Sequence, residues 1–572
     1  MNLNQVIIDF FYELGIKDYF GVTGGGLIQF LKCIPPHQIA TNDEPRFLNL
    51  SEYAAGYAPL GYYLSTHRIA ACVATTGAAQ RLISNGVSDA RFMSIPALYL
   101  LSLSSEASND TYPIQDVSTH GMNIVSRFKQ EFGDDVFVID SNSSYSDIFD
   151  SVHQTLLNSR PAVIFFRPEV LCRPYDQKYI VTDRSLPSPN DNLLRELISA
   201  LEGLTSRSRV VVFCCSETSI TNLDTALFSS FINKIHADVI YTVNGDNTAT
   251  LTAENNLGHI MLGANDAAYS AWGNINSNDL IICLGVDVGE YAINMQHFPQ
   301  ARAFYISQYI NAYGQINNSY DHLFDEKVTQ LSSPISDTLK RFLELTESIS
   351  FSDHAHFDNA LDDLPKHSFS EPKQHVDLVD FYKQLDSQFM PNSLGFEDVC
   401  IAYRDRQAIL KNPNKNIRFH SSNHGSAMGG AFGIAVGAAI ADPLSKVFLF
   451  SGDGCFRLYG GALAEARQLN MTLFIMNNQE LSIIHDGCNH IINDDETFYY
   501  HEFLEPINWV NLAEGFGWRG VSLLPDLSNL SDIMMMSYDQ SPISILVDVP
   551  IDCTQVIGKN FRYKSLTPYP NL

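Results

Sequence analysis

Short apolar runs alternate with helix-period segments along almost the whole chain. KVFLF (Lys446 to Phe450) and MTLFIM (Met471 to Met476) are runs of β-formers bounded by polar turns, and they predict two buried strands. Between them YGGALAEARQL (Tyr459 to Leu469) sets Leu463, Ala466 and Leu469 at helical spacing and predicts a helix. Such a strand–helix–strand unit favours parallel strands joined by a right-handed crossover. RVVVFCC (Arg209 to Cys215), DVIYTV (Asp238 to Val243), DLIICLGVD (Asp279 to Asp287) and ISILVDVP (Ile543 to Pro550) predict further strands. The first twenty residues read as an amphipathic helix. In SSNHGSAMGGAFGIAVGAAIADP (Ser421 to Pro443), Gly429, Gly433 and Gly437 recur every four residues, which puts them on one helix face and lets another backbone approach closely.

The elements fall into three blocks, residues 1–175, 193–346 and 375–556. Two polar linkers, Gln177 to Asn192 and Ser348 to Gln374, separate them. The fold class expected is α/β, as three consecutive domains, each a mostly parallel sheet flanked by helices. His354, His356, His367 and His375 lie in and just after the second linker without metal-ligand spacing, so a solvated loop is the expectation there. Composition changes the picture in three ways. A net charge of −28 with pI near 4.8 argues against nucleic acid and anionic membrane surfaces as partners. Ten cysteines without a CxxC pair suggest reduced thiols. The N-terminus lacks the character of a leader and no run is long enough to span a membrane, so a cytoplasmic location is expected.

Candidate chemistry lies at the ends of the two strands first named. Gly452-Asp453-Gly454 follows one and Asn477-Asn478 ends the other. In a parallel pair these ends share one edge of the sheet, where open α/β sheets bind ligands. An aspartate and an asparagine carbonyl are hard oxygen donors of the kind Mg²⁺ takes, with phosphate oxygens and water completing its octahedron. The other reading is that both are ordinary loop residues after strands.

GDG, about two dozen residues, then NN resembles the thiamine-diphosphate motif. The resemblance implies that Asp453, Asn478 and the Glu480 carbonyl hold Mg²⁺, with Gly452, Gly454, Cys455 and Leu481 about the diphosphate. FLNLSEYAAGYAPLGYYL (Phe47 to Leu64) is similar to the family's strand-to-helix junction, and Glu52 holds the place of the carboxyl that faces the aminopyrimidine ring. DYFGVTGGGLIQFL (Asp18 to Leu31) resembles the family's glycine turn, with Thr23 where proline is usual, and brings Gly24 and Gly25 to the site. ATTGAAQRLISNGVSDARFMSIPALYL (Ala74 to Leu100) resembles a segment of acetolactate synthase-type enzymes, with Ala79 for the second glycine. It contributes Thr76, and Gln115 stands where these enzymes carry an active-site glutamine. Ser426 and Met428 precede the glycine stripe. Met428 holds the place of the residue that wedges under the cofactor.

The chain is thus identified as resembling the acetolactate synthase/pyruvate decarboxylase-like superfamily. The resemblance implies ylid chemistry on a 2-oxo acid, with the product protonated or joined to a second carbonyl such as an aldehyde or another oxo acid. Two departures bear on the outcome. The paired histidines of pyruvate decarboxylases are missing from SSEASNDTYPIQD (Ser104 to Asp116), and Gly25 and Ile484 stand where those enzymes have acidic residues. The segment QELSIIHDGCNH (Gln479 to His490) lacks the tryptophan of acetolactate synthases. A carboligase is therefore the first reading. A simple decarboxylase or C–C hydrolase is the second, and a non-catalytic regulatory homologue the third. His485 is the candidate acid–base group, with His120 and His424 as rivals. FAD on the middle domain stays open. The resemblance also implies a homodimer or homotetramer, with the cofactor between the first domain of one subunit and the third of another.

Overall fold

The computed structural model describes residues 1–41, 43–108, 111–175, 179, 181, 186–249, 255–285, 292–294, 296–309, 328–359, 374–422, 425, 427–485, 502–539, 541–555 and 557–558. Three six-stranded sheets carry the chain. The first contains β1 (Asp18–Gly21), β2 (Arg46–Asn49), β3 (Ala71–Ala74), β4 (Leu98–Ser102), β5 (Val136–Ile139) and β6 (Ala162–Phe166). The second contains β7 (Val210–Cys214), β8 (Asp238–Tyr241), β9 (Asn256–His259), β10 (Leu280–Leu284), β11 (Arg302–Ser307) and β12 (Val328–Ser332). The third contains β13 (Ser393–Glu397), β14 (Ile417–Ser421), β15 (Lys446–Gly452), β16 (Met471–Asn477), β17 (Arg519–Ser522) and β18 (Ile545–Pro550). Every ladder among the described residues is parallel. The expected α/β class with three parallel sheets is therefore what the chain adopts.

The first and third sheets share one design. Their orders, β2-β1-β3-β4-β6-β5 and β14-β13-β15-β16-β18-β17, are the same permutation. The second runs β12-β11-β10-β7-β8-β9, the doubly wound order with its switch point between β7 and β10.

Equivalent helices of the first and third domains meet. The Glu52–Thr66 helix follows β2, and the Gly430–Ala441 helix follows β14. The second is apolar all round and buried at every residue, as a helix enclosed by protein on all sides must be. The glycines set the approach. A β-carbon at Gly437 would overlap the Ala58 carbonyl oxygen, and one at Gly433 the Ala54 carbonyl. Gly61 returns the arrangement against the Ile434 carbonyl. One apolar core therefore runs through both domains, with Ala54, Ala58 and Leu60 packed among Phe432, Ala435 and Val436. Gly437→Ala should lower the melting temperature. The helix propensity gained, up to about 1 kcal/mol, opposes backbone overlap that costs roughly 1–3 kcal/mol or more. Gly461→Ala is the matched control, because a β-carbon there meets nothing within 4 Å. Equal melting temperatures for the two variants would refute the close approach.

The middle domain docks on the third through asparagine side chains. Asn247 pairs with both backbone groups of Phe419, at 2.9 and 2.7 Å, and Asn244 does the same for Ser421, at 2.7 and 3.2 Å. These amides stand in for a further strand along the outer edge of β14 and satisfy backbone groups that an edge leaves open. Behind them Arg406 makes a two-pronged contact with Glu397, at 2.5 and 2.9 Å, and reaches Asp246 of the middle domain at 3.5 Å.

Two sequence expectations change. Tyr459 to Leu469 is not an α-helix but a 3₁₀ turn, Gly460–Ala464, followed by further turns. Leu463 and Ala466 still face the core. The paired glycines at 460 and 461 are poor helix formers, and the short path from β15 to β16 is covered without a full helix. The start of the second linker is also not a solvated loop. His354 is buried, and His356 meets the Asp238 carboxylate at 2.9 Å, beside the Phe357 N–H donating to the same group. His367 lies outside the described residues.

Candidate active site

Asp453 opens a single helical turn directly after β15, and Asn478 follows the end of β16. The two strands pair in register up to Gly452 opposite Met476, so both residues emerge on one edge. Asp453 is 2 % exposed. Its carboxylate is drawn to the Gln479 N–H, which ties it to the residue after Asn478, and Gln479 takes a left-handed conformation (φ 58°) to make that turn. Burial pushes the Asp453 carboxyl up to about 6, against the pull of Arg457 and nearby N–H groups. The Asn478 carbonyl accepts the Glu480 N–H at 3.3 Å, and its amide donates to Ser482 Oγ.

Three segments converge beside Asp453. A β-carbon at Gly454 would meet Leu481 at 2.7 Å and reach the Met428 methyl at 3.8 Å. Glycine at this position therefore keeps a space open between the Asp453 turn and Met428. Met428 is held in place by its neighbours. Gly429 turns left-handed (φ 82°) and donates its N–H to Asp398 at 2.9 Å. Ser451, two residues before Asp453, donates to the other oxygen of Asp398 at 2.9 Å. Asp398 is wholly buried, and burial pushes its carboxyl up to about 6. One side chain thus ties the Met428–Gly429 turn to the Ser451–Gly454 turn. The sequence reading missed it, although an acid at the carboxyl end of a strand in the same sheet (SLGFED) was a signal to look for.

The first domain supplies the opposite wall. Glu52 is the first residue of its helix and is half-buried, and its charge lies close enough to Cys72 to help raise that thiol's pKa, after burial. Tyr53, next to it, donates its hydroxyl to the Met428 carbonyl at 2.5 Å. That bond brings the start of the Glu52 helix against the Met428 turn. Further along the same sheet edge, Thr76 donates to the Gln115 side chain at 3.1 Å, and Gly77 (φ 89°) leaves room for Gln115. Gly24 packs on Thr75, while Gly25 faces open space. Cys455 is buried, and its thiol donates to the Val399 carbonyl at 3.3 Å. Ser426 and His424 lie outside the described residues. His120 sits in an exposed loop. The His485 Nδ1 lies between Glu480, at 2.8 Å, and Glu502, at 2.7 Å.

Residues 1–123 match the family described as thiamine pyrophosphate enzyme, N-terminal TPP binding domain, and residues 406–548 match its C-terminal TPP binding domain. The chain belongs to the thiamine pyrophosphate enzymes. Within that superfamily it is 20% identical to the acetolactate synthase isozyme 1 large subunit of Escherichia coli K12, over 97% of this chain and 94% of the relative. It is 21% identical to the acetolactate synthase large subunit of Lactococcus lactis, over 94% and 91%. Among solved structures, the 4-hydroxybenzoylformate decarboxylase of Rhodococcus jostii superposes with a TM-score of 0.74 at 15% identity, covering 96% of this chain and 99% of that one. The benzoylformate decarboxylase of Polynucleobacter necessarius gives 0.74 at 12%, covering 97% and 99%. These two establish the shared fold. In this thiamine pyrophosphate enzyme both matched regions contain the segments just described, Glu52 in one and Asp453 with Asn478 in the other. Among the described residues no helix is long and apolar enough to cross a membrane.

Proposed function

We propose that this chain binds thiamine diphosphate with Mg²⁺ and acts on a 2-oxo acid, joining the decarboxylated unit to a second carbonyl. The observation that carries the reading is the convergence of Asp453, the Asn478–Gln479 turn, Gly454 and Met428 under the helix that Glu52 opens. Asp453, Asn478 and the Glu480 carbonyl would hold the metal, and the buried, oxygen-only donor set suits it. The cofactor, when bound, supplies a carbanion nucleophile and an electron sink for decarboxylation. The chain's own residues do the rest. Glu52 would move a proton to and from the aminopyrimidine ring, Met428 would support the bound cofactor from below, and Asp398 holds Met428 and the glycine turn in register. Thr76 and Gln115 face the substrate side.

Absence of acid groups at Gly25 and Ile484 favours ligation over protonation to a free aldehyde. The deciding experiment is a screen of 2-oxo acids, singly and paired with aldehydes, with thiamine diphosphate and Mg²⁺, read by mass spectrometry. Ligated hydroxyketone products are expected. Free aldehyde and CO₂ alone would replace this reading with a simple decarboxylase. FAD is not part of the proposal. After β7 the buried Glu217 carboxylate accepts from Ser307 Oγ at 2.6 Å and the Gln308 N–H at 2.9 Å, and a carboxylate there would oppose a diphosphate.

Metal and cofactor should act together. Thiamine diphosphate with Mg²⁺ should raise the wild-type melting temperature by mass action, and Asp453→Ala should abolish that shift. An undiminished shift in the variant would remove Asp453 from the metal site. The assembly proposed is a homodimer or homotetramer. Tyr112 and Ile114, each 92% exposed, stand beside Gln115 as apolar surface for a second copy to cover. Sedimentation should report at least twice the chain's mass, and a monomer at micromolar concentration would sink the idea.

A further inference from the structure

Glu480, His485 and Glu502 form a cluster that the reading above does not use through its side chains. Leu481 N–H donates to the Glu502 carbonyl and Leu504 N–H to the Gln479 carbonyl, both at 2.8 Å, which joins the two segments in a single antiparallel bridge. A turn from Leu481 then brings His485 back, its N–H on the Leu481 carbonyl at 3.1 Å. The three donor atoms, one imidazole nitrogen and two carboxylate oxygens, all lie within 4.8 Å of one another.

The cluster is short of positive charge. Glu480 is 4 % exposed and Glu502 is 3 % exposed. Both approach the same Nδ1, at 2.8 and 2.7 Å, but an imidazole nitrogen carries one proton and cannot satisfy two carboxylates. Among the described residues, Glu502 Oε2 has no hydrogen bond, and Glu480 has only the His485 contact and the Cys553 thiol beside it. Two buried carboxylates against at most one imidazolium leave a negative charge that the interior must cancel with a bound cation or a retained proton.

We propose that Glu480, His485 and Glu502 bind a divalent transition-metal ion of the Zn²⁺ type, separate from the Mg²⁺ expected at Asp453 and Asn478. An imidazole with a nearby thiol selects such an ion over Mg²⁺, which prefers oxygen alone. Zinc–nitrogen and zinc–oxygen bonds of about 2.0–2.2 Å require Nδ1 to part from each carboxylate oxygen by roughly half an ångström, a side-chain adjustment. Binding displaces the Nδ1 proton to solvent and leaves the metal charge facing both carboxylates.

The test uses the full chain. Protein stripped with chelator and returned to millimolar Mg²⁺ is titrated with Zn²⁺, and bound zinc is measured by mass spectrometry after gel filtration. One zinc per chain is expected, and Asp453→Ala should retain it. Glu502→Gln and His485→Gln should each weaken retention by at least about 10-fold, with folding checked by circular dichroism. No zinc on the wild type, or unchanged retention in a folded variant of either kind, overturns the proposal in favour of a shared proton. Should both variants misfold, X-ray absorption on the zinc-loaded wild type decides. Imidazole and oxygen donors support the site, and sulfur-only coordination overturns it.

Discussion

Glu52→Gln should leave fold and cofactor binding intact while turnover falls by roughly 10²–10⁴-fold. The substitution keeps the length and shape of a side chain that opens the Glu52–Thr66 helix, so the helix pair shared with Gly430–Ala441 is undisturbed. Glutamine can still hydrogen-bond a ring nitrogen, but it cannot take up and release a proton. A loss confined to turnover therefore separates proton transfer from binding. Two measurements read it. The thermal shift with thiamine diphosphate and Mg²⁺ should persist, and exchange of the cofactor C2 proton for deuterium, followed by quenched NMR, should slow with turnover. Exchange at the wild-type rate would remove Glu52 from the proton path.

Arg406→Ala should destabilise the chain by about 3–5 kcal/mol, the usual result of breaking one side of a buried ion pair. Arg406 is 1 % exposed, and its guanidinium stacks 3.9 Å from the centre of the Phe419 ring while it grips Glu397. Glu397 is fully buried, and its second oxygen also accepts from Ser421 at 2.6 Å. Asp246 is nearby, its carboxyl pushed up to about 7 by burial and by Glu397, against the pull of Arg406. Without the guanidinium, two carboxyl groups face each other across the boundary of the middle and third domains. Urea unfolding of the variant measures the loss. A cost under about 1 kcal/mol would show that water or relaxation replaces the ion pair. Removing Glu397 as well, as Glu397→Gln with Arg406→Met, should recover part of the stability, since one of the two stranded carboxyls is then gone. Cofactor affinity should fall in the single variant too, because Glu397 adjoins Asp398, which holds the Met428 turn.

The elements that position the site were legible because they are local. Apolar runs mark β15 and β16, and polar residues at their ends mark the edge where Asp453 and Asn478 emerge. The four-residue glycine period marks a helix face, and in the fold that face meets the Glu52 helix. What stayed hidden is long-range or depends on context. Arg406 reads as a surface residue until Asp246, far earlier in the chain, is folded beside it. Asp398 is one acid among many until Gly429 and Ser451 close on it. The segment from Tyr459 to Leu469 has helical spacing but too much glycine at its start, and spacing alone could not reveal that. His485 is visible as a histidine near the metal loop. Its partner Glu502 is not, because 17 positions of sequence separate the two.

The helix pair also sets an order of events during synthesis. Ala54, Ala58 and Leu60 leave the ribosome early, but the surface that covers them, centred on Phe432 and Val436, follows only after about 375 more residues. At roughly 5–20 residues per second that is on the order of 20–75 s. For that interval the nascent first domain carries a bare apolar stripe, and the whole middle domain is made while it waits. A chain arrested before Gly430 has nothing of its own to close the stripe. Chaperone dependence should therefore track translation speed through the middle domain more than the stability of the finished protein.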